Sequence, residues 1–189
     1  VKHVKVNQDL PFKLKYNLCL IIPEGDINEV RIMAEVGIET AKTLPWVKFV
    51  LRLHPLITIN KIKRYIPKLT SLPKNFLISA DPLEKDIESA TWLLYRASSV
   101  VFYGMTHGLR PVYFNGDESI KVNDPVPNSI TYRKIVDSSS QLADLIKCDI
   151  SGSALKKNPE KEKSITFANE YYTPLKPSVI VDFIQEIDC

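Results

Sequence analysis

Short apolar runs alternate with amphipathic segments along the chain. Leu18–Ile22 is apolar at every position, which is typical of a strand covered on both faces of a parallel sheet. From Asp26 to Leu44 apolar residues recur at helical spacing, and Asp26 with Glu29 forms a capping-box pattern. By the same reasoning, the remaining strands are predicted at 48–53, 75–78, 100–102, 111–114 and 132–136. The remaining helices are predicted at 59–66, 81–97, 138–147, 167–172 and 178–187.

This alternation predicts an α/β fold: a Rossmann-like, doubly wound, mostly parallel sheet of about six strands with C-terminal helices. The expected strand order is 3-2-1-4-5-6. Residues 1–16 are interpreted as a lead-in or linker and 17–150 as the Rossmann-like domain. Residues 151–189 are interpreted as a linker and helices that pack on that domain. In such sheets ligands bind at the carboxyl ends of the strands, where the order switches between strands 1 and 4.

Composition narrows the class of protein. The 189 residues are 44% hydrophobic and 25% charged with a net charge of +3, as in an ordinary soluble protein. No apolar run approaches the roughly 20 residues of a membrane span, so no direct span is predicted. Three scattered cysteines and three histidines, without a C-x-x-C motif, predict a reducing, cytoplasmic setting and neither a metal nor another cofactor. The basic residues between Lys61 and Lys74 are interpreted as a solvated helix face rather than a nucleic-acid site.

His54 and Pro55 end the second predicted strand abruptly. Arg52 lies two residues before the histidine on the same side of the strand, so Arg52 is also predicted to contact the phosphate of a ligand. His54 either contacts a phosphate-bearing ligand or satisfies a loop carbonyl. Ser98 and Ser99 offer hydroxyl donors to the same ligand, or they merely end a helix. If the strand ends by Ser99 and a helix follows, the two serines lie on the ligand side.

Further candidates flank the order switch. Thr106, His107 and Gly108 are expected in the loop after strand 4, where backbone N–H groups bind anions. Glu24 and Gly25 follow strand 1 and are candidates for sugar or ribose binding. The glycine-rich dinucleotide fingerprint, the P-loop and the G-x-S-x-G elbow are all absent, which disfavours dehydrogenases, P-loop kinases and α/β-hydrolases.

A series of short motifs resembles a known family. Leu-Ile-Ile-Pro-Glu-Gly, Leu-Arg-Leu-His-Pro, Ala-Ser-Ser-Val-Val-Phe, Gly-Leu-Arg-Pro-Val-Tyr and Asn-Asp-Pro-Val follow one another over roughly residues 17–147. As a set they resemble the C-terminal, donor-binding half of GT-B fold glycosyltransferases. The nearest groups make bacterial capsule and other surface polysaccharide and include sialyl- and polysialyltransferase-like enzymes.

The resemblance implies roles for the candidate residues. It places His54, Pro55, Ser98 and Ser99 on the phosphate and nucleotide of a nucleotide-sugar, with His54 as the catalytic residue. It also implies an acceptor glycan bound by an N-terminal domain outside this chain, and a location in the cytoplasm or peripheral to the inner membrane through other domains. The stretch 102–108 lacks the glutamate that holds the donor ribose in many GT-B enzymes. We therefore expect a donor-binding half that turns over poorly alone; a non-catalytic binding or assembly module and a nucleotide-sugar epimerase half stay open.

Overall fold

In the computed structural model, which describes residues 17–116, 123–152, 155–156 and 159–171, six parallel strands form one sheet. Their order is β3-β2-β1-β4-β5-β6. The strands are β1 (Leu18–Ile22), β2 (Lys48–Leu51), β3 (Phe76–Ile78), β4 (Trp92–Tyr95), β5 (Arg110–Phe114) and β6 (Lys134–Val136). The predicted Rossmann-like fold and its strand order are therefore confirmed.

Helices cover both faces of this sheet. They are α1 (Ile27–Thr43), α2 (Ile59–Tyr65), α3 (Leu83–Ser89), α4 (Val100–Thr106), α5 (Ser139–Ser151) and α6 (Pro159–Tyr171), with a 3-10 turn at Pro67–Thr70 after α2. Apolar residues of α1, α2 and α5 fill the core on one face. Those of α3, α4 and α6 fill the core on the other face.

β1 shows why its sequence is apolar throughout. Cys19 and Ile21 point into the first core, whereas Leu18, Leu20 and Ile22 point into the second. β2 and β4 pair with β1 on either side, so the strand lies at the centre of the sheet. The α1 cap is also as predicted, because the Asp26 carboxylate accepts hydrogen bonds from the N–H groups of Asn28 and Glu29.

The prediction for the fourth strand is wrong. The segment 100–102 begins helix α4, and the strand is β4, which lies inside the predicted helix 81–97. Apolar residues at 87, 90 and 94 fit helical spacing, but α3 ends at Ser89. The four residues of β4 are then completely buried beside β1, and the backbone N–H of Thr91 donates to the carbonyl of Leu18 at 2.9 Å. Pairing with the central strand decides what local periodicity leaves ambiguous.

At the C-terminus, α6 begins at Pro159, eight residues before the helix predicted at 167–172, and includes residues 167–171 of it. The lead-in at 1–16 and the helix predicted at 178–187 lie outside the described residues. None of the helices in the described part of the chain is long and apolar enough to cross a membrane.

Candidate functional site

The carboxyl ends of β1, β2 and β4 bring three loops to one edge of the sheet, which we call the carboxyl edge. These loops are residues 23–26, 52–58 and 96–99. Because β1 lies between β2 and β4, the loops that carry His54 and Ser98 lie on either side of the loop after β1. The edge includes the point where the strand order switches, which is the usual ligand position in such folds.

His54 is half-buried, and one of its two ring nitrogens is hydrogen-bonded within the protein. Nδ1 accepts a hydrogen bond from the backbone N–H of Leu56 at 3.3 Å. In the neutral ring the proton therefore lies on Nε2, which can donate to a ligand. Gly25 lies against the ring, since a Cβ added at Gly25 would be 3.5 Å from Nδ1. The loops after β1 and β2 thus meet at this histidine.

Arg52 points away from this meeting point. One guanidinium nitrogen donates to the Asp81 carbonyl at 2.7 Å and to the Asp86 carboxylate at 2.8 Å. Asp86 is buried and also accepts the Ser79 hydroxyl at 2.6 Å. Arg52 therefore ties the loop after β2 to the loop after β3 and the start of α3.

The serine pair lies at the carboxyl edge of the sheet. Ser98 is buried and Ser99 is exposed, and both lie between the end of β4 and the start of α4. The alternative in which a helix follows the serines is the one that the structure has. Their hydroxyls are thereby placed at the same edge as His54.

Three candidates lie at the opposite edge of the sheet. Thr106, His107 and Gly108 end α4, which runs back from the carboxyl edge to the start of β5. His107 Nδ1 is 3.0 Å from the carbonyl of Tyr103, and Gly108 makes the turn into β5 with a φ of 75°. The predicted position of these residues in a ligand-side loop after strand 4 is wrong, because the strand precedes the serines rather than following them.

The remaining candidates are on the carboxyl edge. Pro55 is exposed and forms the turn after His54. Glu24 and Gly25 are exposed in the loop after β1. The backbone N–H of Glu24 donates to the Glu29 carboxylate at 2.9 Å, so this loop is fixed to the first turn of α1.

Two charged residues near these loops are buried, which their sequence patterns do not predict. Glu29 and Arg96 are each 2% exposed. Burial raises the pKa of the Glu29 carboxyl, and the positive charge of Arg96 opposes that rise. An arginine directly after a buried strand at the order switch is a detectable signal, but it stays hidden while Arg96 is assigned to a helix.

A further loop closes the β5 side of the edge. Asp124 accepts hydrogen bonds from the Tyr95 hydroxyl at 2.8 Å and the Val126 N–H at 2.9 Å. It also pairs with Arg133. Burial raises the pKa of Tyr113, whose ring lies 5.7 Å from that of Tyr95. Among the described residues, no group of three or more His, Cys, Asp or Glu side chains could hold a metal ion.

The chain matches no protein-family model and no curated protein sequence, but solved structures share its architecture. CalG4, the calicheamicin glycosyltransferase, is 11% identical with a TM-score of 0.62 over 97% of this chain and 46% of that chain. The glycosyltransferase SnogD from Streptomyces nogalater is 13% identical with a TM-score of 0.59, over 89% and 43%. The fold is the Rossmann-like α/β fold of GT-B glycosyltransferases.

The GT-B fold also occurs outside the glycosyltransferases. UDP-GlcNAc 2-epimerase from Neisseria meningitidis, solved with UDP-GlcNAc bound, is 13% identical with a TM-score of 0.56 over 90% of this chain and 44% of that chain. The chain thus spans less than half the length of each of these three neighbours. At such identities the likeness concerns the fold alone.

Proposed function

We propose that this chain is the donor-binding half of a glycosyltransferase of surface polysaccharide synthesis and that it binds a nucleotide-sugar at the carboxyl edge. The observation that carries the proposal is the contact of Gly25 with the His54 ring beside the order switch of the sheet, with the serine-bearing loop at the same edge. Solved neighbours include glycosyltransferases and a protein bound to UDP-GlcNAc, which supports a nucleotide-sugar as the ligand class.

His54 is assigned the central role. Its Nε2–H donates to a phosphate oxygen of the donor, while the Leu56 N–H on Nδ1 holds the tautomer that makes this donation. Negative charge grows on the leaving phosphate as the glycosidic bond breaks. A hydrogen-bond donor that is already in position stabilises that charge. The hydroxyls of Ser98 and Ser99 add neutral donors on the β4 side of the phosphate.

The other residues of the edge define the remainder of the ligand site. Glu24 and Gly25 are exposed beside the ring and offer a carboxylate and a backbone to sugar or ribose hydroxyls. The acceptor glycan and its activating base belong to a second GT-B half outside this chain, and no metal takes part in the proposed donor site.

The test is calorimetric titration of CMP, UDP and their sugar conjugates into the wild type and two histidine variants. His54→Ala removes a hydrogen bond to a charged group, so we expect about 10- to 100-fold weaker binding of the preferred nucleotide. His107→Ala is the matched control, since His107 lies at the opposite edge. Equal affinity of the wild type and His54→Ala would refute the role of His54.

A second candidate activity, the epimerisation of a nucleotide-sugar, has one specific observation in its favour. The UDP-GlcNAc 2-epimerase covers 90% of this chain with the same fold. The two activities differ in their products. With the full-length protein and a nucleotide-sugar, release of an epimeric sugar without an acceptor selects the epimerase, whereas sugar transfer that requires an acceptor selects the transferase.

A further inference from the structure

The basic residues of this chain are unevenly distributed. From Thr40 to Ala80 the sequence contains eight Lys and Arg residues and neither Asp nor Glu. Since the whole chain carries only +3, the rest of it is net acidic. This segment includes α2 and the loop that carries His54.

Helix α2 concentrates this charge on its outer side. Ile62 is fully buried beneath the helix, whereas Lys61, Arg64 and Tyr65 are exposed. Together with Asn60 these three residues line an open depression of about 400 Å³. Residues 61, 64 and 65 follow helical spacing, so their side chains lie on one stripe.

Lys61 and Arg64 lack the local ion pairs that some other surface cations of the described residues form. Arg31, Lys42, Lys85 and Lys147 each pair with a carboxylate three or four residues away, in their own helix or, for Lys85, just before it. In the part of the chain that the structure describes, neither Lys61 nor Arg64 takes part in an ion pair. Their positive charges are therefore exposed to solvent and are not neutralised by a carboxylate of the described residues.

Exposed apolar side chains flank the same stripe. Leu56, in the turn before α2, is 81% exposed, and Tyr65, at the end of α2, is 57% exposed. Transfer of such an exposed aliphatic side chain from water into an apolar medium lowers the free energy. Nucleic acid would recruit aromatic rings for stacking and gives Leu56 no such medium.

We propose that the surface formed by Leu56, Asn60, Lys61, Arg64 and Tyr65, the α2 surface, docks on an anionic lipid bilayer. The cations bind the acidic headgroups, Tyr65 lies at the headgroup level, and Leu56 reaches the acyl boundary. Because Leu56 follows His54 by two residues, docking brings the carboxyl edge to the membrane surface. The proposal depends on the charge and exposure of α2 and is independent of the proposed donor site.

The test is cosedimentation with vesicles of phosphatidylcholine that contain about 30 mol % phosphatidylglycerol, compared with phosphatidylcholine alone. Each basic residue at an anionic surface contributes about fivefold to partitioning, so Lys61→Gln/Arg64→Gln is expected to bind about 25-fold more weakly. Lys85→Gln/Lys147→Gln is the control, because it removes the same net charge from paired sites elsewhere. Leu56→Ser is expected to lose about tenfold on the anionic vesicles, and its fold is checked by circular dichroism.

The outcomes are distinct. Preference of the wild type for anionic vesicles, lost in the α2 variant and kept in the control, supports the proposal. Equal binding to both kinds of vesicle, or equal losses in the α2 and control variants, overturns it. Tight binding of a fluorescent oligonucleotide without vesicle binding also overturns it and assigns the α2 surface to nucleic acid.

Discussion

Replacing Arg52 with alanine separates a structural role from a ligand-binding role at the carboxyl edge. The sequence analysis placed Arg52 on the donor phosphate, but its guanidinium donates to the Asp81 carbonyl at 2.7 Å and to the Asp86 carboxylate at 2.8 Å. Asp86 is buried, with 7% of its side chain exposed, and would retain the Ser79 hydroxyl at 2.6 Å. The variant therefore leaves a buried carboxylate with one neutral donor.

The expected loss of stability follows from these contacts. Removing one partner of a fully buried ion pair costs about 3–5 kcal/mol. The Arg52 side chain is 26% exposed, so water replaces part of what is lost, and we expect a decrease of about 2 kcal/mol in the free energy of unfolding. For a chain of this size that decrease corresponds to a Tm lower by about 4–8 °C.

Urea denaturation and thermal melts of Arg52→Ala measure this loss. Arg31→Ala is the control, because its ion pair with Glu35 is 3.8 Å long and exposed, so its loss is expected to stay below about 0.5 kcal/mol. The double variant Arg52→Ala/Asp86→Ala should lose less than the sum of the two single variants, since the contact is shared. Nucleotide affinity should stay within about twofold of the wild type. Two results together would refute the structural role of Arg52: stability equal to that of Arg31→Ala, and a loss of nucleotide affinity of tenfold or more. Arg52 would then be assigned to ligand binding.

Two further predictions concern buried charges. Burial raises the pKa of Glu29, so the folded protein holds this proton more tightly than the unfolded chain, and the contribution of Glu29 to stability falls as the pH rises above about 4.3. The stability of the wild type minus that of Glu29→Gln should therefore decline from about pH 4.3 towards neutrality in urea titrations; a constant difference contradicts this. Asp149→Ala should lower the free energy of unfolding by about 3–5 kcal/mol, because it leaves the buried Arg110 guanidinium and the Trp92 indole N–H without their shared partner. Asp144 is exposed on the same helix, so Asp144→Ala should lower it by less than about 0.5 kcal/mol. Equal losses on urea denaturation would contradict the second prediction.

Much of the fold follows from local patterns. Leu18–Ile22 is apolar because both faces of β1 are covered, and Asp26 caps α1 as its spacing with Glu29 predicts. The alternation of such elements predicts a parallel sheet, for which the observed strand order is the usual one. These features depend on residues close in sequence, so they can be predicted without knowledge of the tertiary contacts.

The candidate site depends on a choice that local patterns do not make. Trp92–Tyr95 and the residues at 100–102 are both short apolar runs, and pairing with β1 selects the first as the strand. That choice moves Ser98 to the carboxyl edge and His107 to the opposite edge. The partner of Arg52 is likewise hidden, because Asp86 is 34 residues away and reaches it only when β2 and β3 are side by side.

The most direct test of the proposed donor site is mapping of backbone amide chemical shifts during titration with CMP and UDP. We expect one nucleotide to shift the amides of Gly25, His54, Ser98 and Ser99 most, since these residues belong to the three loops at the carboxyl edge. The amide of His107, at the opposite edge, should not move. Saturating shifts confined to the carboxyl edge would support nucleotide binding there. Shifts centred elsewhere, or none with any nucleotide or nucleotide-sugar, would contradict it.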